Sequence, residues 1–390
     1  MDSSHKSMCI HILVLGVLVL GVGLSVTHVV SSTSGVGSTQ MVTFGRNTTT
    51  REFKKERKPP PLVALLYLTR HGMRTMEPIW TDWFLSCPID TDVLFDIHVH
   101  ISDDAQKLDK TSVFYKKELP RMTHVQWGNH SMVDAERLLF AAAMKNERVQ
   151  TFVLLSEDSF PLYPALLIYM QLTLEPKSRI NVCGDEEDTT GNDRMDHRWV
   201  PRMAEAGVTK DMWRKSSQWV SLKRDLVSII LHDTDVNKVF EEECYVAPER
   251  FCVSDEHYIP SLLALQGQRD QCACDGMAMM TRWTPGAAHP KVFGQGDAKD
   301  EVITEELMDG WNPNTKCGTV KSAFLERWAD GDVSLITEEE HEEAAWSVLL
   351  WEEDEGNHLM TPNCPLFARK LDQDNDNVLV WKQALAQYLA

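Results

Sequence analysis

"LVALLYLTRHGMR", residues 62 to 74, is an apolar run that reads as a β-strand and stops at Arg70, His71, Gly72, Met73 and Arg74. Outward from it, short apolar runs alternate with longer helical patterns. "VLFDIHVH" and "QTFVLLS" read as strands, and "MVDAERLLFAAAMKN" and a segment near "YPALLIYMQL" as helices. Strand and helix in alternation predict an α/β domain with a mainly parallel sheet. Ligands of such sheets bind beyond the carboxyl ends of the strands, which directs attention to "LTRHGMR" and "LLSEDSFP".

The chain has 390 residues and a formal net charge of −19. So acidic a protein does not attract nucleic acid by its overall field, and a phosphate-bearing substrate needs a local cluster of Arg and Lys. Residues 10–30, "IHILVLGVLVLGVGLSVTHVV", are long and apolar enough to cross a hydrocarbon core. They predict a single transmembrane signal anchor with residues 1–9 as a short cytoplasmic tail; a cleaved signal peptide is the alternative. Residues 31–60, Ser/Thr/Gly-rich, then charged, then "KPPP", read as a luminal stem, and residues 61–390 as the catalytic domain. An acidic insertion lies near 297–358 and reads as a solvated helical segment.

Cysteine usage fits a luminal domain. Of nine Cys, all but Cys9 lie beyond the anchor and form an even set that can pair in an oxidising compartment. Cys244 and Cys252 bracket a short loop, whereas Cys272 and Cys274 are too close to pair easily with each other and are expected to bond elsewhere. Asn47 and Asn129 head glycosylation sequons.

No catalytic metal is expected. In Ser156-Glu157-Asp158 the acids are adjacent, so successive side chains diverge and cannot chelate one ion. Asp90/Asp92 and Asp233/Asp235 have the spacing but stand before a strand and at a helix end. "DQDNDNVLVWKQ", from Asp372, imitates a calcium loop but has Asn377 for the turn glycine and Gln383 for the final Glu, so it reads as a polar turn before the last helix. Cys272 and Cys274 with His98 and His100 lack zinc-ligand spacing.

Two resemblances bear on function. Arg70-His71-Gly72-Met73-Arg74 resembles the signature of the histidine phosphatases, and His232-Asp233 resembles their proton-donor pair. That similarity, through His71 as nucleophile, accounts for those residues and little else. A set of blocks running collinearly from residue 63 to 370 is broader. It includes "VQWGNHSMVDAERLLFAAA", "FVLLSEDSFPLYP", "RWVPRM", "WRKSSQW", "VSDEHYIPSLLAL", "GAAHPKVFG" and "CPLFARK". These resemble the core-2/I-branching β-1,6-N-acetylglucosaminyltransferase family, glycosyltransferase family 14, and within it the plant and algal branch.

That resemblance implies a GT-A-like α/β fold and single-pass type II topology in the Golgi membrane, with the catalytic domain luminal. It also implies inverting transfer of a sugar from a UDP-sugar to a glycan acceptor without a metal or other cofactor. N-acetylglucosamine is the sugar expected first, with glucuronic acid and xylose as alternatives. Glu256 falls on the family's general base. From the residues alone, Asp255 and Glu256 equally well open the following helix, where acids are favourable. Lys370, with Arg369 beside it, falls on the diphosphate site. The branch's Arg is replaced by Pro285; Arg282, His289 and Lys291 are the candidates to stand in, His289 first because it matches the block. Arg70 or His71 lines the nucleotide. Arg198 falls on an acceptor contact, with Arg202 following it. Trp283 offers a flat face for a sugar ring or is a core residue.

Overall fold

The computed structural model describes residues 59–103, 110–120, 124–184, 194–285, 287, 289–309, 317 and 360–389. The proposed tail, anchor and most of the stem, Asn47, and most of the acidic insertion lie outside the described residues. No helix among the described residues is long and apolar enough to cross a membrane.

The elements run β1 (Leu62–Thr69), α1 (Glu77–Leu85), α2 (Thr91–Leu94), β2 (Phe95–Ile101), α3 (Ser131–Ala143), β3 (Val149–Ser156), β4 (Phe160–Pro161) and α4 (Ala165–Leu174). There follow β5 (Ser178–Arg179), β6 (Ser221–Lys223), α5 (Arg224–His232), α6 (Asp235–Glu243), β7 (Val246–Ala247), β8 (Arg250–Phe251) and α7 (Ser254–Leu265). Last come β9 (Cys272–Ala273), β10 (Met279–Thr281), β11 (Phe367–Arg369) and α8 (Asn375–Leu389). The main sheet has the order β2-β1-β3-β6-β5-β9. β1 is parallel to β2 and β3, and β5 to β9; β6 alone runs antiparallel to its neighbours. The mixed α/β fold with a mostly parallel sheet is the one the alternation predicts.

β1 is buried along its whole length, as a strand flanked by helices on both faces must be. Its Tyr67 ring meets Trp80 of α1 edge-on at 5.1 Å and Phe114 at 5.3 Å. Burying two indoles leaves two N–H donors to satisfy. Trp80 Nε1 donates to the Ser159 carbonyl (3.1 Å) and Trp83 Nε1 to that of Tyr163 (2.7 Å), which fastens α1 to the chain after β3.

A small second sheet, β10-β11-β4, stands beside the first. α8 holds it in place. Trp381 of α8 packs on Phe160 of β4 at 5.4 Å and donates its N–H to the Gly294 carbonyl at 3.0 Å. The polar turn before α8 caps its own backbone: Asp374 accepts from the N–H groups of Asp376 and Asn377. Asn377 is buried and donates to the carbonyls of Phe293 and Asp372, so it fastens the helix rather than ligating a cation.

The cysteines divide differently from the even set expected. Disulfides join Cys183 to Cys274, Cys244 to Cys252 and Cys317 to Cys364, while Cys87 and Cys272 are free thiols. Cys274 bonds elsewhere, as expected, but Cys272 does not, because it is buried among apolar neighbours of the β9 edge. Burial pushes its thiol up to about 12, as it does that of Cys87.

Candidate active site

A cavity of about 1310 Å³ opens at the carboxyl ends of β1, β2 and β3. Its lining includes Arg70 after β1, Asp103 after β2 and the Ser156-Glu157-Asp158 corner after β3. The run Lys215–Val220, the first turn of α7, and Arg369 and Lys370 at the end of β11 complete the walls.

The first turn of α7 sends consecutive side chains in different directions, since a helix turns about 100° per residue. Ser254 and His257 are fully buried, Asp255 nearly so, and the Glu256 side chain is 25% exposed toward the cavity. Arg198 Nη1 donates to Glu256 Oε2 at 2.8 Å, and Lys215 Nζ stands 3.8 Å from the same oxygen. His257 fixes Arg198 from behind. Its ring stacks on Trp213 at 4.2 Å and its Nδ1 lies 2.7 Å from the Arg214 carbonyl, so Nδ1 carries the proton and Nε2 accepts from Arg198 at 3.2 Å. Burial holds the His257 pKa well below that of a free imidazole, which keeps it a neutral acceptor.

Pro260, inside α7, has no N–H to offer the carbonyl four residues earlier. That carbonyl belongs to Glu256 and accepts instead from Ser216 N at 2.9 Å. The segment carrying Lys215, whose ammonium stands near the Glu256 carboxylate, is thereby fastened to Glu256 itself.

Elsewhere in the lining, Asp158 is buried and gathers two cations. Arg369 Nε is 3.1 Å from Oδ1 and Lys370 Nζ is 3.3 Å from Oδ2, with the Arg369 guanidinium lying over Trp219 at 4.5 Å. Burial alone would raise the Asp158 pKa; the Arg369 charge and the Ser156 hydroxyl outweigh it and hold the group ionised below the usual range. Lys370, 39% exposed, faces the cavity from this anchor.

The acids after β3 serve separate partners. Glu157 Oε2 accepts from the backbone N–H groups of Arg70 (2.7 Å) and His71 (3.1 Å), shaping the loop after β1. Gly72, at φ +93°, completes that turn. Arg70 Nε donates to Asp103 Oδ2 at 2.9 Å, and His124 Nδ1 lies 3.6 Å from Asp103 Oδ1. Asp90 and Asp233 accept from backbone N–H groups of α2 and α6, a helix-opening role that explains both spaced acid pairs. Among the described residues no group of His, Cys, Asp and Glu is placed to hold a metal ion.

The structure thus brings Glu256, Arg369, Lys370, His289, Arg70 and Trp283 to one cavity. Trp283 is 46% exposed, which removes the core reading for it. His289 lines the wall against Trp127, while Lys291 pairs with Asp297 at 2.8 Å and does not line the cavity. Arg198 stands beneath the surface, 8% exposed and spent on Glu256. Arg202 is outside the lining and pairs with Glu242 and Glu243. The Asn129 amide donates to Gln126 and accepts from Val246 N, so both ends of that sequon side chain are engaged.

The phosphatase constellation does not assemble. His71 is 67% exposed beside Asp103, His232 bonds to its own helix at Ser228, and Asp233 caps α6. None of the three lines the cavity.

Several residues in and around the site carry no motif of their own. Lys215 and Gln218 lie in "WRKSSQW", a block whose similarity was visible although its roles were not. Glu136 is hidden in an ordinary-looking helix, and Asp103 follows the masking alternation of "DIHVHISDD".

Residues 63–309 match the family described as Core-2/I-Branching enzyme. A protein named Glycosyltransferase BC10, from Oryza sativa subsp. japonica, is 26% identical over 230 residues, which is 54% of this chain and 54% of that one. The chain therefore matches about half the length of this relative. The family match contains Arg198, Lys215 and Glu256 and ends before Arg369 and Lys370.

Arg198→Ala strips a mostly buried carboxylate of its nearest cation. It is expected to lower unfolding free energy by about 3 kcal/mol, measured by urea denaturation. Arg198→Lys, which cannot donate to Glu256 and His257 from one fork, is expected to recover only part of that.

Proposed function

The chain belongs to the core-2/I-branching enzyme family, and from that premise we propose that it is an inverting glycosyltransferase. It takes a sugar from a UDP-sugar, N-acetylglucosamine in the first instance, and passes it to a hydroxyl of a glycan acceptor. The observation that carries the reading is one cavity with Glu256 on one wall and the Arg369–Lys370 pair on another.

In this reading the acceptor oxygen attacks the anomeric carbon from the face opposite the diphosphate. Its proton passes to Glu256 Oε1, the oxygen that Arg198 leaves unoccupied, as the bond from the anomeric carbon to the departing diphosphate oxygen breaks. Arg198 and Lys215 hold the carboxylate from its Oε2 side and so orient Oε1. The developing charge on UDP meets Lys370 and Arg369, already desolvated in part and oriented by Asp158. The loop after β1, with Arg70 and Asp103, lies at the strand ends where a nucleotide binds in such sheets. Trp283 and Trp127, both exposed at the cavity, present flat faces to sugar rings.

No divalent cation enters this mechanism, because Glu157 and Asp158 are committed to backbone donors and to the two phosphate-facing cations. The reading extends to a single-pass type II protein of the Golgi membrane, as the resemblance implies; the three disulfides suit a luminal domain and the apolar segment 10–30 an anchor.

Glu256→Gln is expected to bind UDP as the parent does while transfer falls by roughly 10²–10⁴-fold, the contribution of a general base. Transfer at the parent rate removes Glu256 from the chemistry. Lys370→Ala should weaken UDP binding itself, and calorimetry showing unchanged affinity excludes its role. Transfer assayed with UDP-N-acetylglucosamine, UDP-glucuronic acid and UDP-xylose identifies the donor, and activity should survive excess EDTA. The full chain should sediment with Golgi membranes and resist carbonate extraction; release by carbonate counts against the anchor.

A further inference from the structure

Behind Glu256 lie two more carboxylates, and neither forms an ion pair among the described residues. Glu136, on α3, is 1% exposed. Its Oε1 accepts from Gln218 Nε2 at 2.8 Å, and its Oε2 meets no hydrogen-bond donor among the described residues. Asp255, next to the base on α7, is buried too, and its Oδ1 likewise meets no donor. Both Asp255 and Gln218 line the cavity; Glu136 reaches it through its bond from Gln218, and the charge of Asp255 acts on it. Two ionised carboxylates in so dry a place, each with an oxygen left without a donor, oppose each other and folding. A proton on one supplies the missing donor and removes one charge.

We propose that Glu136 and Asp255 carry one proton between them in the working protein, so that the pair bears a single negative charge and Glu256 keeps Arg198 and Lys215. The two are positioning residues for the base, and the proposal rests on the reading of Glu256 given above. The charged groups around them are few. Asp255 and Gln218 face Glu136; Glu256, Arg198 and Lys215 act on Asp255. His257 and His130 are the neighbouring histidines, His130 bonded to Ser254 Oγ at 2.8 Å and Asn237 Oδ1 at 3.1 Å, and burial keeps both neutral.

Burial first, and then the charge of Asp255, hold Glu136 well above the ordinary carboxyl range; burial and then Glu256 push Asp255 up to about 7. The folded pair therefore keeps a proton that an unfolded chain releases near pH 4 (about the free carboxyl value). Its contribution to stability falls as pH rises from there through the folded values. Once the last proton leaves, a second negative charge competes with Glu256 for Arg198 and Lys215, and activity declines on the alkaline side.

Glu136→Gln tests this, because the amide resembles the protonated acid and cannot acquire the second charge. Two measurements apply. The infrared carbonyl stretch of a protonated carboxyl should be present in the parent at neutral pH and weaker in the variant. Transfer by Glu136→Gln should stay within about threefold of the parent at neutral pH, in kcat/KM, while the alkaline decline weakens or disappears. If the variant does not fold, Asp255→Asn should lose the same decline, for the same reason. Absence of the infrared band in the parent overturns the proposal, and so do superimposable pH profiles of parent and variant. The band does not depend on turnover: its presence alongside a fully active Glu256→Gln would sink the base assignment and leave the shared proton standing.

Discussion

The Asp158 carboxylate, buried at the corner after β3, is the contact through which the main sheet governs the small one. A charge so enclosed has to be paired, and both partners come from the end of β11, more than two hundred residues further along the chain. The backbone follows the side chain, since Leu371 N donates to the Asp158 carbonyl at 3.1 Å. One anion facing two cations leaves positive charge to spare at the cavity wall. In a chain of net charge −19, that local excess is what makes a diphosphate site physically reasonable.

The wall that carries Glu256 depends on four consecutive residues. Asp255, Glu256, His257 and Tyr258 lie in the first turns of α7, and helical geometry aims them in different directions. Glu256 meets the cavity; His257 turns inward to hold Arg198; Asp255 is buried, its charge acting on Glu136; and Tyr258 bonds to Asp233 at 2.9 Å. Pro260 then denies Glu256 its helical partner and gives its carbonyl to Ser216. Glu256 is thus gripped at side chain and backbone together, by segments that are remote in sequence.

Arg198, which the resemblance places at an acceptor contact, has its guanidinium beside Glu256 and over the Phe251 ring at 5.0 Å. An Arg able to donate to both Glu256 and His257 fixes the carboxylate's orientation. An acceptor positioned by Glu256 would still depend on Arg198, without touching it.

The sequence alone determined the α/β class, because continuous apolar strands and apolar-faced helices have few ways to bury themselves. It located the site at the ends of β1 and β3 for the same reason, and the collinear blocks pointed to Glu256, Arg369 and Lys370. What it left open were relations between distant residues. Whether Asp255 and Glu256 merely favour a helix start or face a cavity depends on Arg198, Lys215 and Glu136, which come from three other segments. The fate of Cys272 turned on a buried strand edge, and that of His71 on whether His232 and Asp233 lay near it. Glu136 was illegible: in a helix of alternating character a Glu reads as solvated, and only packing against α7 and Gln218 makes it a buried acid. Local pattern is written in neighbouring residues, but burial, charge pairing and the state of a proton are set by what the fold brings alongside.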